Sequence, residues 1–220
     1  MKTAMILAAG RGERLKPITE IQPKALCRIN DEPVIKYHLI NLAKAGFEKV
    51  IINHSYLGWK IKDYISGLKD LGLEIIFCPE PPGGLETGGG IFNALSYFKN
   101  NHFLVINADV YTDFDLTKVK KPTNSLAHII LYENTKLGPG DFGILNNKVI
   151  NEKREFIFTG IGCYHAEMFN SIEPGRYSLT PILRNLANTN QLHGEIHTGT
   201  WFDIGTVEQL KLAILNKTQT

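Results

Sequence analysis

Cysteine is scarce in this chain. Three stand among 220 residues, Cys27, Cys78 and Cys163, spaced 51 and 85 residues apart. An odd count without CxxC spacing excludes a disulfide framework and the usual structural zinc site, and fits small apolar residues in a reducing compartment. Long hydrophobic runs are missing too: nothing approaches the roughly 18–20 apolar residues that a bilayer crossing needs. The opening stretch MKTAMILAAG has one lysine and a short apolar run, with Arg11, Glu13 and Arg14 directly behind it. Neither a secretory signal nor a membrane anchor is expected, and a cytoplasmic protein is. Nor does one sign of charge dominate, since 24 Lys and Arg against 22 Asp and Glu leave a formal +2. That balance argues against nucleic-acid and membrane partners.

What remains is ordinary globular material, 43% hydrophobic and 21% charged, long enough for one large domain. Thr3–Ala9 is almost wholly apolar, as a strand buried on both faces should be. Pro33–Ala45 places Val34, Tyr37, His38, Leu42 and Ala45 on one helical face before Gly46. Val50–Asn53 reads as strand, Leu57–Leu68 as helix and Leu73–Cys78 as strand. A Pro/Gly loop is expected from Pro79 to Gly90, then a helix to Phe98 and a buried strand His102–Asn107. In the second half Leu126–Tyr132 and Phe156–Tyr164 read as longer strands with an Asn146-Asn147 hairpin between them. Thr180-Pro181 opens a helix, and Thr206-x-x-Gln209 has capping-box form before Val207–Leu215. This alternation predicts one α/β domain with a largely parallel sheet and ligands at the carboxyl ends of its strands.

Three segments carry candidate chemistry. Gly10 and Gly12 follow the first strand, where backbone N–H groups can converge on an anion, with Arg14 and Lys24 near enough to neutralise phosphate charge. The spacing fits neither a P-loop, which needs GK[ST] where Leu15 stands, nor a dinucleotide fingerprint. Five of the 20 glycines fall within residues 83–90, a density suited to a loop lying against a flat base. Asp109 ends the apolar strand Val105–Asn107, and Asp203 sits between Trp201-Phe202 and a helix cap. Carboxylates so placed can hold Mg²⁺, which takes oxygen donors. His193 and His197 have the spacing of a zinc helix, but Gly194 and β-like neighbours argue against one.

The segment Leu7–Lys24 reads LAAGRGERLKPITEIQPK and resembles, in full, the LAAGxGxRxxPxTxxxPK signature of the sugar-phosphate nucleotidyltransferases. Further similar landmarks are INHSYLG at Ile52–Gly58, LETGGGIF from Leu85, NADVYTD from Asn107 and WFDIGT from Trp201. The resemblance implies a Rossmann-like three-layer sandwich with a mixed, mostly parallel sheet, spanning 1–220 as a single domain. Its first 110 or so residues would bind nucleotide and the remainder sugar. It implies that Leu7, Ala8, Ala9, Gly10, Gly12 and Glu13 wrap an NTP, with Glu80, Gly84 and Thr87 at its base. Arg14 and Lys24 would act on the phosphates, and Asp109 and Asp203 would share Mg²⁺. Asn107, Asp141, Glu152, Thr159 and Gly160 would meet the sugar 1-phosphate. One departure is visible, because many relatives carry Glu-Lys-Pro where this chain reads Glu152-Lys153-Arg154. Within the family, the landmarks resemble most the branch that uridylylates N-acetylmuramate 1-phosphate in cell-wall recycling. Guanylylation of mannose or heptose phosphates is the alternative, and a glycosyltransferase a more distant one.

Overall fold

The computed structural model describes residues 2–99, 101–135 and 138–217. Strand β1 (Thr3–Leu7) is followed by a loop with a short helix α1 (Ile18–Ile21), and then by the small hairpin β2 (Arg28–Ile29) and β3 (Glu32–Pro33). Helix α2 (Val34–Lys44), β4 (Lys49–His54), α3 (Gly58–Ser66), β5 (Glu74–Pro79), α4 (Glu86–Asn93) and β6 (His102–Asn107) complete the first half. The second half holds β7 (Val110–Thr112), β8 (Ala127–Glu133), β9 (Gly143–Leu145), β10 (Lys148–Ile150) and β11 (Phe156–His165). It closes with α5 (Thr180–Asn188), β12 (Leu192–His197), β13 (Trp201–Asp203) and α6 (Val207–Lys217).

Nine strands form one mixed sheet in the order β5-β4-β1-β6-β11-β8-β12-β10-β9. The first four run parallel, and β11 enters antiparallel between β6 and β8. Strand alternation splits the core between the two faces. Met5, Ile51 and Val105 pack on one side with α4 and α5 residues such as Ile91 and Leu183. Ala4, Ile6, Ile52 and Ile106 pack on the other with Ile35 and Leu39 of α2. A third, smaller cluster joins Leu15 of the first loop to Ile204, Leu210 and Ala213. It holds α6 beside the glycine loop.

The Asn146-Asn147 hairpin forms as read, both residues having φ near +50 to +63°, which suits a tight primed turn. The capping box forms in a shifted version. Gln209 N–H donates to Thr206 Oγ1 at 3.3 Å, but Gln209 Oε1 accepts from Gly205 N–H at 3.1 Å. The expected loop Pro79–Gly90 is shorter than its glycine content suggests. Helix α4 already begins at Glu86, takes in Gly88–Gly90 and ends at Asn93, leaving a 3₁₀ turn at Leu95–Phe98. The glycines are there for close approach. A Cβ on Gly88 would lie 2.6 Å from the Tyr177 ring, one on Gly90 2.6 Å from Glu80 Oε1, and one on Gly89 would overlap the Gly175 carbonyl oxygen. The N–H groups of Gly88 and Gly89 both donate to the Tyr177 carbonyl, at 3.0 and 3.1 Å. Helix propensity is overridden by a backbone contact that only glycine permits.

Candidate active site

The carboxyl ends of β1, β4, β5 and β6 surround a cleft of about 350 Å³. One wall is the turn after β1, where Gly12 adopts φ +70° and its carbonyl accepts from Thr19 Oγ1 at 2.7 Å. Leu15, fully buried, anchors the turn to the third core cluster. Leu7, Ala9, Gly10, Gly12 and Glu13 line the cleft. Ala8 is buried, and its N–H donates to Asn53 Oδ1 at 2.7 Å. Asn53 Nδ2 donates in turn to Glu80 Oε1 at 2.6 Å, and Leu85 N–H donates to Glu80 Oε2 at 2.7 Å. Both Glu80 oxygens are thus occupied, in a buried position where an unpaired carboxylate would be costly. The chain Ala8–Asn53–Glu80–Leu85 fixes the glycine turn against the facing loop. Asn53 escapes a reading of single residues, since one polar side chain ending an apolar strand gives no pattern.

The facing loop contributes Gly83 and Gly84, with φ +93° and +72°. Thr87 also lines the cleft, its hydroxyl accepting from Leu179 N–H at 2.8 Å. The two glycine groups should therefore respond differently to substitution. Gly89→Val should destabilise the fold by about 3 kcal/mol or more through overlap with backbone, read as a fall in urea midpoint. Gly84→Val carries strain of roughly 1–2 kcal/mol at its positive φ with no overlap. Its main effect should be a rise in nucleotide KM of on the order of tenfold. Equal loss of stability in the two variants would reject this division.

On another side of the cleft Asp109 stands two residues beyond the end of β6. The two three-residue strands β7 and β13 pair antiparallel with Asp203 opposite Val110, and Ile204 N–H donates to the Asp109 carbonyl at 2.8 Å. Two acids 94 residues apart in sequence are brought together by this ribbon. Lys24 Nζ pairs with Asp109 and stands 3.8 Å from Asp203 Oδ1. A side chain on Gly205 would begin 3.0 Å from Arg14 Nη2 and 3.1 Å from Asp203 Oδ2. Glycine there leaves room for the guanidinium beside the second acid. Beneath the turn His38 is buried and bonded to the Val110 backbone, and burial pulls its pKa down to about 4 despite the nearby Asp109. It is a neutral prop under the acids, legible in sequence only as a core-facing helix position. Among the described residues no three His, Cys, Asp or Glu side chains gather as a metal site, and no helix is long and apolar enough to cross a membrane.

A glycine turn, a facing loop and a basic-acidic cluster thus lie together at one sheet edge. The family described as nucleotidyl transferase matches residues 3–220. The chain belongs to this family. It is 43% identical, over 96% of both chains, to an N-acetylmuramate alpha-1-phosphate uridylyltransferase of Neisseria meningitidis. A D-glycero-alpha-D-manno-heptose 1-phosphate guanylyltransferase of Campylobacter jejuni is 28% identical over 97% of this chain and 99% of its own. In fold the chain is similar to the inositol-1-phosphate CTP transferase of T. maritima, with a TM-score of 0.83 at 20% identity, over 99% of this chain and 95% of that one.

In this nucleotidyl transferase, the residues assigned to sugar by resemblance have mixed placements. Asn107 lines the cleft and lies over Gly160, where a Cβ would come within 2.6 Å of Asn107 Nδ2. Gly160 has φ +80° at the register shift of β11 between Phe158 and Gly162. Thr159 is buried and its hydroxyl is spent on the sheet, donating to the Ile130 carbonyl at 2.8 Å and accepting from Ile161 N–H at 3.3 Å. Its carbonyl accepts from Trp201 Nε1 at 3.0 Å. Thr159 thus shapes the bulge and holds β13 in place. Asp141 Oδ2 accepts from Phe158 N–H at 2.9 Å. Glu152 is exposed and outside the cleft lining. Arg154 Nε donates to the Gly140 carbonyl at 3.0 Å, so the residue that replaces the family proline braces the loop before Asp141. Glu86, which falls within the LETGGGIF landmark but has no role assigned there, and Arg176, which no sequence signal marked, also line the cleft.

Proposed function

We propose that the chain transfers uridylate from UTP to N-acetylmuramate 1-phosphate, giving the UDP-sugar and pyrophosphate, as a cytoplasmic step of cell-wall recycling. The carrying observation is the convergence of Asp109 and Asp203 on the Lys24 ammonium at the mouth of the glycine-lined cleft. The 43% identity with the Neisseria enzyme supports the choice of substrates. Residues 1–220 act as one domain, with nucleotide held by about the first 110 and sugar by the rest.

The donor chemistry fits Mg²⁺: two carboxylates, hard oxygen donors, with substrate phosphate and water to supply the other ligands. Asp109 and Asp203 would hold the ion, which supplies charge neutralisation at the reacting phosphates. A sugar phosphate oxygen attacks the α-phosphorus in line, and the bond to the β-phosphate oxygen breaks as pyrophosphate leaves. No general base is needed, because a phosphate monoester with a second pKa of about 6 is mostly dianionic at pH 7. The protein's task is positioning and charge. Backbone N–H groups from Gly10 to Glu13 hold the triphosphate, Arg14 and Lys24 neutralise the departing charge, and Gly84 and Thr87 border the base. Asn107 and Gly160 face the sugar, with Asp141 and Glu152 further out.

Guanylylation is the second reading, favoured by the likeness to the heptose 1-phosphate guanylyltransferase. A glycosyltransferase would want an Asp-x-Asp where Asn107-Ala108-Asp109 stands. A panel of four NTPs against N-acetylmuramate, glucosamine, mannose and heptose 1-phosphates, read as pyrophosphate release, separates these. Release is expected to be fastest with UTP and N-acetylmuramate 1-phosphate. Preference for GTP with mannose or heptose phosphate would install the second reading, and no release with any pair would reject the reaction class.

A further inference from the structure

Glu86 is the first residue of α4 and holds φ +61°, a left-handed conformation that disfavours any residue with a Cβ. Its carboxylate stands in the first turn of α4, where an exposed acid gains only about 0.3–1 kcal/mol from the helix N-terminus, and no side chain caps that end. Its Oε1 lies 3.4 Å from Arg176 Nε, with the two side chains 48% and 60% exposed. An ion pair so exposed adds little to stability. A strained backbone combined with a weak structural return points to a ligand.

The position of Arg176 is set by its backbone neighbours. Tyr177 N–H donates to the Leu85 carbonyl at 3.1 Å, and the Tyr177 carbonyl accepts from Gly88 and Gly89. The segment carrying Arg176 is thereby clipped to the loop that carries Gly83 and Gly84. Arg176 Nη1 lies 3.9 Å from where a Gly83 side chain would begin, and both Glu86 and Arg176 line the cleft. A guanidinium only donates hydrogen bonds and a carboxylate only accepts them. Side by side they form a donor–acceptor pair in the lining of the cleft, next to Gly83.

We propose that the Glu86–Arg176 pair reads the base edge of the bound nucleotide and selects a carbonyl oxygen beside a ring N–H. Uracil presents that edge, and the proposal rests on the reading of this cleft as the UTP site. Arg176 donates to the carbonyl and Glu86 accepts from the ring N–H. Cytosine presents the reverse order, an amino donor beside an unprotonated ring nitrogen, and brings donor against donor and lone pair against carboxylate. A polar site left with mismatched partners rejects the wrong ligand strongly, and less so here because the pair is half exposed.

The test is kcat/KM and equilibrium binding for UTP and CTP with the wild type, Glu86→Gly, Glu86→Gln and Arg176→Ala. The wild type is expected to prefer UTP, and each variant to lose that preference by on the order of 10–100-fold. KM for the sugar phosphate should stay within a factor of about three. Glu86→Gly also removes the positive-φ strain, so its melting temperature should hold or rise while selectivity falls, a combination that a purely structural residue would not give. Folded variants that keep the UTP preference would overturn the proposal and leave the reaction intact. A wild type that binds no NTP would overturn the reading of the cleft along with it, and preference for CTP would overturn the assigned order alone.

Discussion

Lys24→Ala is expected to lower kcat by roughly 10²–10³-fold, the usual cost of removing one preorganised charge donor from a phosphoryl-transfer site. The same substitution should tighten metal binding in the absence of nucleotide. Lys24 pairs with Asp109 and lies within 4 Å of Asp203, so in the ligand-free protein its ammonium competes with any cation for the same two carboxylates. In the proposed mechanism an arriving triphosphate would give the lysine a second anionic partner and release the acids to a metal. Without the lysine that exchange is unnecessary. Titration of nucleotide-free protein with Mn²⁺ should show weaker binding in the wild type than in Lys24→Ala, while pyrophosphate release shows the opposite ranking of rates. Folding should survive, because Lys24 sits in a 3₁₀ turn of the first loop rather than in a core cluster. Full activity in a folded Lys24→Ala protein would remove Lys24 from the mechanism.

Asp109→Asn and Asp203→Asn carry the other large effect. Each should cut turnover by on the order of 10³-fold, equivalent to several kcal/mol of lost charge stabilisation. The double variant should be little slower than either single one, because groups serving one ion act as a unit. The shared ammonium and the Asp203–Val110 register support treating the acids as one device. Losses that multiply in the double variant would mean that the two carboxylates work separately. Melting temperature is the control, since both side chains are partly exposed and neither belongs to a core cluster.

Much of this architecture could be read from the chain because its signals are local. Ile6, Ile52 and Ile106 sit in apolar runs that become the central parallel strands, and the α2 periodicity gives its buried face. Contacts across the fold were silent. Glycine at 88, 89 and 90 reads as loop, yet it is helix, because the closeness of Gly175 and Tyr177 is a tertiary fact. Glu80 is expected at the nucleotide by resemblance, but nothing in the sequence pairs it with Asn53, and only the fold makes them partners. Thr159 fits a sugar-contacting strand by resemblance, but the β11 register shift turns its hydroxyl into the sheet. The convergence of Asp109 and Asp203 is expected by resemblance alone, because the ribbon of two three-residue strands that produces it is too short to announce itself in sequence.

That ribbon also sets the order in which the molecule becomes competent. A ribosome delivers the glycine turn and Lys24 first, and Asp109 well before Asp203. While the later segment is still being made, the parallel strands β5-β4-β1-β6 can assemble, yet β6 still lacks its neighbour β11 and Asp109 its fellow acid. Pairings so distant along the chain close slowly, since the loop entropy must be overcome before the contact contributes. A nascent chain therefore completes neither the Asp109–Asp203 ribbon nor the anchors of its glycine turn and α4, Ile204 against Leu15 and Tyr177 against Gly88 and Gly89, until its final segments have emerged.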